Sequence, residues 1–234
     1  MWFWRPTCWW SAAGRAPWLA RCKKSSHARA HASNECESAL KIAALSDIQG
    51  NLATLQAVLQ DIHERGADLI VNLGDILSGP LQCAETADRL MPLRLPTISC
   101  NHERQLLTFE FEQMRVSDRF AASVLGPDHR AWISTLPETL RLDDVLMVHG
   151  SPRSDLECFL ETVTESGMRN ASVASFAYKV ETGSPHARYA MLESSRGPWS
   201  ANLLAVGYDW DSAALLAQMR GRTAWGRALR TGRV

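Results

Sequence analysis

The chain lacks an excess of charge of either sign: 25 Lys+Arg balance 25 Asp+Glu over 234 residues. With a pI near 7.0 it carries no global electrostatic footprint for nucleic acid. It lacks any apolar run approaching the roughly 18 residues of a membrane-spanning helix, so no transmembrane segment is expected. No C-x-x-C pair occurs among its six cysteines, Cys8, Cys22, Cys36, Cys83, Cys100 and Cys158. Their irregular spacing excludes a zinc ribbon and a dense disulfide framework, and points to reduced thiols in a cytoplasmic protein. Neither a P-loop nor a G-x-G-x-x-G is present, which argues against a nucleotide-cofactor fold. What remains is ordinary globular composition, 46% hydrophobic and 21% charged, in a chain long enough to bury a sizeable core.

Residues 1–38 stand apart. They hold Trp2, Trp4, Trp9, Trp10 and Trp18, and six basic residues against only Glu35 and Glu37. Arg5, Arg15 and Arg21 interrupt any stretch that would serve as the apolar core of a secretory signal. The segment reads as a disordered leader, with an organellar targeting peptide or a membrane-surface patch as the other readings. The folded domain is expected over 39–234.

From Leu40 the pattern changes. Leu40–Leu45 is a short apolar run, and Leu52, Leu55, Val58, Leu59 and Ile62 then share one helical face that stops at Gly66. Leu69–Leu73 reads as a buried strand, a helix is expected over 84–90, and Pro96–Ser99 reads as a brief strand. Helical patterns run to about Leu136, and Val145–Val148 is a further strand. Arg188–Leu192 and Leu203–Val206 read as two more, before a helix capped by Asp209 or Asp211. Strands alternating with helices predict an α/β architecture.

Four apolar runs each end in a side chain able to bind metal: Asp47, Asp75, Asn101 and His149. In α/β sheets, sites form outside the carboxyl ends of strands, where loops converge on a rigid base. A single Asp in such a place is ordinarily a turn or cap residue, but four in succession point to a site. Carboxylate, amide and imidazole together suit Mn, Fe or Zn rather than an all-thiolate zinc centre.

The blocks that carry these residues are Ser46-Asp47-Ile48-Gln49-Gly50-Asn51, Gly74-Asp75 running on to Gly79-Pro80, Cys100-Asn101-His102-Glu103 and Val148-His149-Gly150-Ser151-Pro152. In this order the chain resembles the calcineurin-like metallophosphoesterase superfamily, especially its small bacterial phosphodiesterase-like members, from about residue 40 onward. The resemblance implies a four-layer α/β sandwich of two mixed sheets with helices outside and a two-metal site on one rim. It implies hydrolysis of a phosphoester, in a small-molecule or nucleotide-like substrate, with divalent ions as cofactors: manganese first, with iron, zinc or nickel as alternatives. Asp75 would bridge the ions, Asp47 would complete one shell, and Asn101 and His149 would hold the other ion. His102 would be the catalytic residue, contacting the phosphate or protonating the leaving oxygen.

Three departures from the family pattern shape the expectation. Gln49 stands where the D-x-H motif has its histidine, so a neutral amide is the available ligand. Cys100 stands where a Gly precedes Asn101, and a Cβ there is expected to strain the turn. The final G-H-x-H is absent. Only His186 lies downstream of His149, and the passage from Gly167 to Gly183 reads as though an internal segment is missing. The expected outcome is a weakened binuclear centre, with one ion site retaining Asp75, Asn101 and His149. The rival reading is a non-catalytic member that keeps the fold as a phosphate-binding or interaction module.

Overall fold

The computed structural model describes residues 39–142, 145–156, 183–194 and 198–233. All of them belong to the compact unit Ser38–Val234. The expected leader over 1–38 and the passage from Gly167 to residue 182, where a segment reads as missing, lie outside the described residues.

The run Leu40–Leu45 forms β1, and Ile42, Ala43, Ala44 and Leu45 are buried. Its last four residues are an unbroken apolar stretch because both faces of the strand are covered there. Strand β2 (Leu69–Asn72) pairs with it in parallel through Ile42↔Leu69 to Leu45↔Asn72. Helix α1 (Leu52–Arg65) connects the two. The Asn51 side chain caps it by accepting from the Thr54 N–H, and Gly66 ends it in the left-handed conformation, φ 73°. Leu55, Val58 and Ile62 are the buried stripe, as the spacing predicts.

Helices α2 (Cys83–Leu90), α3 (Asn101–Thr108), α4 (Val116–Val124) and α5 (Pro127–Ser134) follow. Next comes an antiparallel ribbon, β3 (Leu140–Leu142) with β4 (Val145–Met147). Strand β5 (Ala187–Ser194) then pairs antiparallel with the far side of β1, and β6 (Ser200–Val206) pairs antiparallel with β5. The sheet order is β2-β1-β5-β6, a mixed sheet. Helices α6 (Trp210–Met219) and α7 (Thr223–Thr231) close the chain. Asp209 is the residue that caps α6, its carboxylate accepting from the Ser212 N–H at 3.0 Å.

The sheet has two apolar faces. One, with Ala43, Leu45, Tyr189 and Met191, packs on the α1 stripe and on Ile76, Leu77 and Leu106. The other, with Ile42, Ala44, Val71 and Ala190, packs on Met147 and the ribbon's Leu140, Leu142 and Val145. Helices, mixed sheet and ribbon therefore form an α/β structure. The second mixed sheet and its outer helices implied by the resemblance are not among the described residues. No helix among them is long and apolar enough to cross a membrane.

The expected strand at Pro96–Ser99 shrinks to one parallel bridge, Asn72↔Thr97. Pro96 has no N–H to give the ladder, and the Ser99 N–H turns away to the Pro137 carbonyl at 2.8 Å. The bridge still suffices to bring Cys100 and the start of α3 beside the ends of β1 and β2.

Candidate metal centre and catalytic cleft

Past the ends of β1 and β2 the backbones stay laced together. Leu73 N–H donates to Leu45 O (2.8 Å), Asp47 N–H to Gly74 O (3.0 Å), Gln49 N–H to Asp75 O (3.0 Å) and Gly50 N–H to Ile76 O (2.8 Å). Within this pair of loops Asp47, Gln49 and Asp75 hold φ values of 53°, 51° and 54°, and Arg94 is the only other described non-glycine residue in the left-handed region. Such backbone costs on the order of 1–3 kcal/mol per residue and persists only where the surroundings impose it. Three of these strained positions coincide with three residues that the sequence marks as ligands.

Asp75 is buried, and His149, at the end of the ribbon, places Nε2 3.6 Å from its Oδ2. The other imidazole nitrogen, Nδ1, lies 2.8 Å from the Leu73 carbonyl. A carbonyl only accepts, so Nδ1 carries a proton, and Nε2, which faces Asp75, is the nitrogen placed to bind a metal. Cys100 completes a group in which one ligand atom each of Asp75, Cys100 and His149 lies within 4.8 Å of the others.

Asp47 adds a second carboxylate. Its Oδ2 accepts from Ser46 Oγ at 2.7 Å, while Oδ1 is buried with no partner. Burial, then the neighbouring Asp75 charge, pushes the Asp47 carboxyl well above the usual carboxylate range. A hydrogen bond from Gln49 opposes this. Two facing carboxylates, an orphaned buried oxygen and an imidazole lone pair form a donor set that a divalent cation satisfies, so the residues fit a metal ion. Asn101 is the first residue of α3, half-buried between Cys100 and His102.

Glu103 organises this corner from below. Fully buried, it accepts from Asp75 N–H (3.1 Å) and Cys100 N–H (3.2 Å) through Oε2, and from Ile76 N–H (2.8 Å) through Oε1. Burial raises its carboxyl, with the Asp75 charge adding to the effect. Cys100 does not strain the turn, contrary to expectation. Its φ of −137° is extended backbone that any residue adopts, and Gly74 supplies the freedom instead. A Cβ on Gly74 would stand 3.0 Å from that of Cys100.

His102 opens onto a cleft of about 360 Å³ lined also by Gln49, Ser78, Arg115, Arg222 and Trp225. Its Nδ1 lies 3.0 Å from Asp118 Oδ1, and Ser78 Oγ donates to the same oxygen at 2.6 Å. Burial works against the imidazolium. The Asp118 hydrogen bond, with the charges of Asp75, Asp118 and Glu103, outweighs it and lifts the pKa from 6.5 to about 9. His102 therefore carries its proton at neutral pH. Arg220 ties the C-terminal helices to the cleft by donating to Pro80 O (2.9 Å) and Leu81 O (2.6 Å).

Asp118 and Glu103 were not marked as functional by the sequence. An Asp in a helix reads as a solvated residue, and Glu103 stood only as the fourth member of its motif. The remaining histidines among the described residues lie elsewhere: His186 packs on Trp210 with ring centroids 5.4 Å apart, His129 bonds Gly126 and Asp88, and His63 is exposed on α1.

Comparison with known proteins identifies the family and the fold. The family model for calcineurin-like phosphoesterases matches residues 40–201. A solved metallophosphoesterase from Sphaerobacter thermophilus is similar in fold, with TM-score 0.61 and 20% identity, over 80% of this chain and 99% of that one. An uncharacterized protein of Methanocaldococcus jannaschii is 26% identical over 121 residues, 48% of this chain. The match spans half of that relative's length, 50%.

Proposed function

The chain belongs to the calcineurin-like phosphoesterase family, and from that premise we propose that it hydrolyses a phosphoester bond with divalent metal ions as cofactors. The observation that carries the reading is the convergence of Asp75, His149 and Asp47 beside a cleft that contains His102, held through Nδ1 by Asp118. Asp75 and His149 would hold one ion, with Asn101 as the further ligand that the family resemblance implies. Asp47, Gln49 and Asp75 make a weaker second set, in which the Gln49 amide replaces an imidazole. When bound, a divalent ion supplies Lewis acidity toward the phosphoryl oxygens and the attacking water.

The chain's own residues do the rest. Asp118 fixes the His102 ring through Nδ1, leaving Nε2–H as the proton source for the leaving-group oxygen. Arg115 and Arg222, on the cleft wall, attract an anionic substrate. The substrate class is a small-molecule or nucleotide-like phosphoester, the ion is manganese or one of iron, zinc and nickel, and the expected location is cytoplasmic. The second reading, a phosphate-binding or interaction module, draws on Gln49 and on a compact ligand group of only three residues among those described.

Turnover of bis(p-nitrophenyl) phosphate by manganese-loaded protein decides between them. Hydrolysis that collapses by 100-fold or more in both Asp75→Asn and His102→Ala supports the enzyme, on the scale of general acid catalysis. Phosphate binding without turnover in the wild type would leave the module.

A further inference from the structure

We infer that Cys100 is a thiolate ligand of the metal centre, forming with Asp75 and His149 a mixed sulfur, oxygen and nitrogen site that favours zinc over manganese. The inference rests on the reading of this corner as a metal site and names a donor that the family pattern does not contain.

Geometry supports it first. The Cys100 sulfur hydrogen-bonds Asp75 Oδ1, and the Asp75 and His149 ligand atoms approach it within 4.8 Å. Ligand atoms around one tetrahedral ion at 2.0–2.3 Å stand about 3.3–3.8 Å apart, so small side-chain rotations close this group onto a common ion. The 3.6 Å between His149 Nε2 and Asp75 Oδ2 already has that spacing.

The surroundings of the sulfur pull both ways. Burial, with the Glu103 and Asp75 carboxylates, pushes the thiol up, so the thiolate needs the ion to form. The Asp75 N–H, shared with Glu103 Oε2, points at Sγ from 3.0 Å. An N–H donor at a metal-bound sulfur stabilises its negative charge. Asp47 brings a separate observation from the same corner, since its Oδ1 is buried and accepts no hydrogen bond. The second support is chemical. Gln49 offers a neutral amide where an imidazole is expected, and His186 is engaged with Trp210. A thiolate at residue 100 restores both charge and softness to the set, and softness discriminates against manganese. As the sulfur–metal bond forms, the S–H bond breaks and its proton leaves to solvent, so the balance needs no oxidant or reductant.

The alternative role for Cys100 is a buried thiol that only donates hydrogen bonds to Asp75 and to Glu103 Oε2, 2.9 Å away. Cys100→Ser preserves a donor and removes the soft ligand, so it separates the two. Full-length protein stripped by chelator is titrated with cobalt(II), a spectroscopic stand-in for zinc, and then with zinc and manganese. The inference expects a near-ultraviolet sulfur-to-cobalt charge-transfer band in the wild type that Cys100→Ser lacks. It also expects zinc affinity to fall about 10- to 100-fold in the variant with manganese affinity little changed. Stoichiometric cobalt binding without the band, or equal zinc affinity in the two proteins, overturns the thiolate while leaving the metal site standing. No cobalt or zinc binding by the wild type overturns both. X-ray absorption of the zinc-loaded wild type needs no variant: one sulfur at about 2.3 Å is the expected shell, and a shell of only nitrogen and oxygen refutes the assignment.

Discussion

The pairing of His102 with Asp118 makes a stability prediction whose sign is fixed by titration. The folded-state pKa of His102 is raised from 6.5 to about 9, so its contribution is fully present below pH 6.5 and is lost as pH rises through about 9. The side chain is only 11% exposed and Asp118 is buried, so solvent screening is weak. At 1.36 kcal/mol per unit the whole shift is worth about 3 kcal/mol, with the Asp118 hydrogen bond the largest of the raising causes. The assay is denaturant unfolding of chelator-stripped wild type, His102→Gln, Asp118→Asn and the double variant between pH 6 and 10. At pH 6 the cycle should give a coupling energy of about 1.5–3 kcal/mol, the range for a charge-assisted bond. By pH 10 it should fall below about 0.5 kcal/mol, as the imidazolium gives way to the neutral ring. A coupling energy that is small at pH 6, or that is the same at pH 10, would refute the protonated dyad and with it the proton source assigned to the cleft.

Two further outcomes follow from the same corner. Asp47 has a raised carboxyl, so its charged form costs stability at neutral pH in the absence of a cation. Asp47→Asn should therefore raise the melting temperature of metal-free protein while weakening metal binding about 10-fold or more; a lowered metal-free melting temperature would count against the clash with Asp75. At Gly79, with φ 144°, an added Cβ would lie 2.4 Å from the Gln49 carbonyl oxygen, whereas at Gly66 it meets nothing within 4 Å. Gly79→Ala should cost about 3 kcal/mol, or roughly 6–12 °C, and Gly66→Ala only about 1 kcal/mol; equal losses in calorimetry would show that the Gly79 approach does not shape the site.

The first β–α–β unit was legible because each of its signals is local. Leu40–Leu45 and Leu69–Asn72 are predominantly apolar runs, the α1 stripe has helical spacing, and Gly66 is a left-handed stop. The strands β5 and β6 were legible for the same reason. Pro96–Ser99 was over-read as a strand, since its apolar look hides a missing donor at Pro96 and a Ser99 N–H committed to Pro137. Cys100 reads in sequence as a lost glycine, and only its contacts with Asp75 and Glu103 reveal a polar role. Asp118 stands 16 residues from its partner His102, and helical periodicity says nothing about a hydrogen bond between two different helices. The α6 helix buries Ala213, Ala214 and Ala217 while Leu215 and Met219 face out, because neighbouring α7 approaches too closely for larger side chains.

The four backbone bonds that run past the ends of β1 and β2 change how the site can fail. Loops that carry chemistry commonly belong to the least protected part of a protein and open on their own. Here the amides of Asp47, Gln49 and Gly50 are tied as strand amides are, so there is no short hinge about which the carboxylates can swing away. Their exchange with deuterium should proceed at the slow pace of the central strands. Losing the site and losing the sheet then become one event, and gentle warming leaves the ligand geometry intact until the whole unit melts.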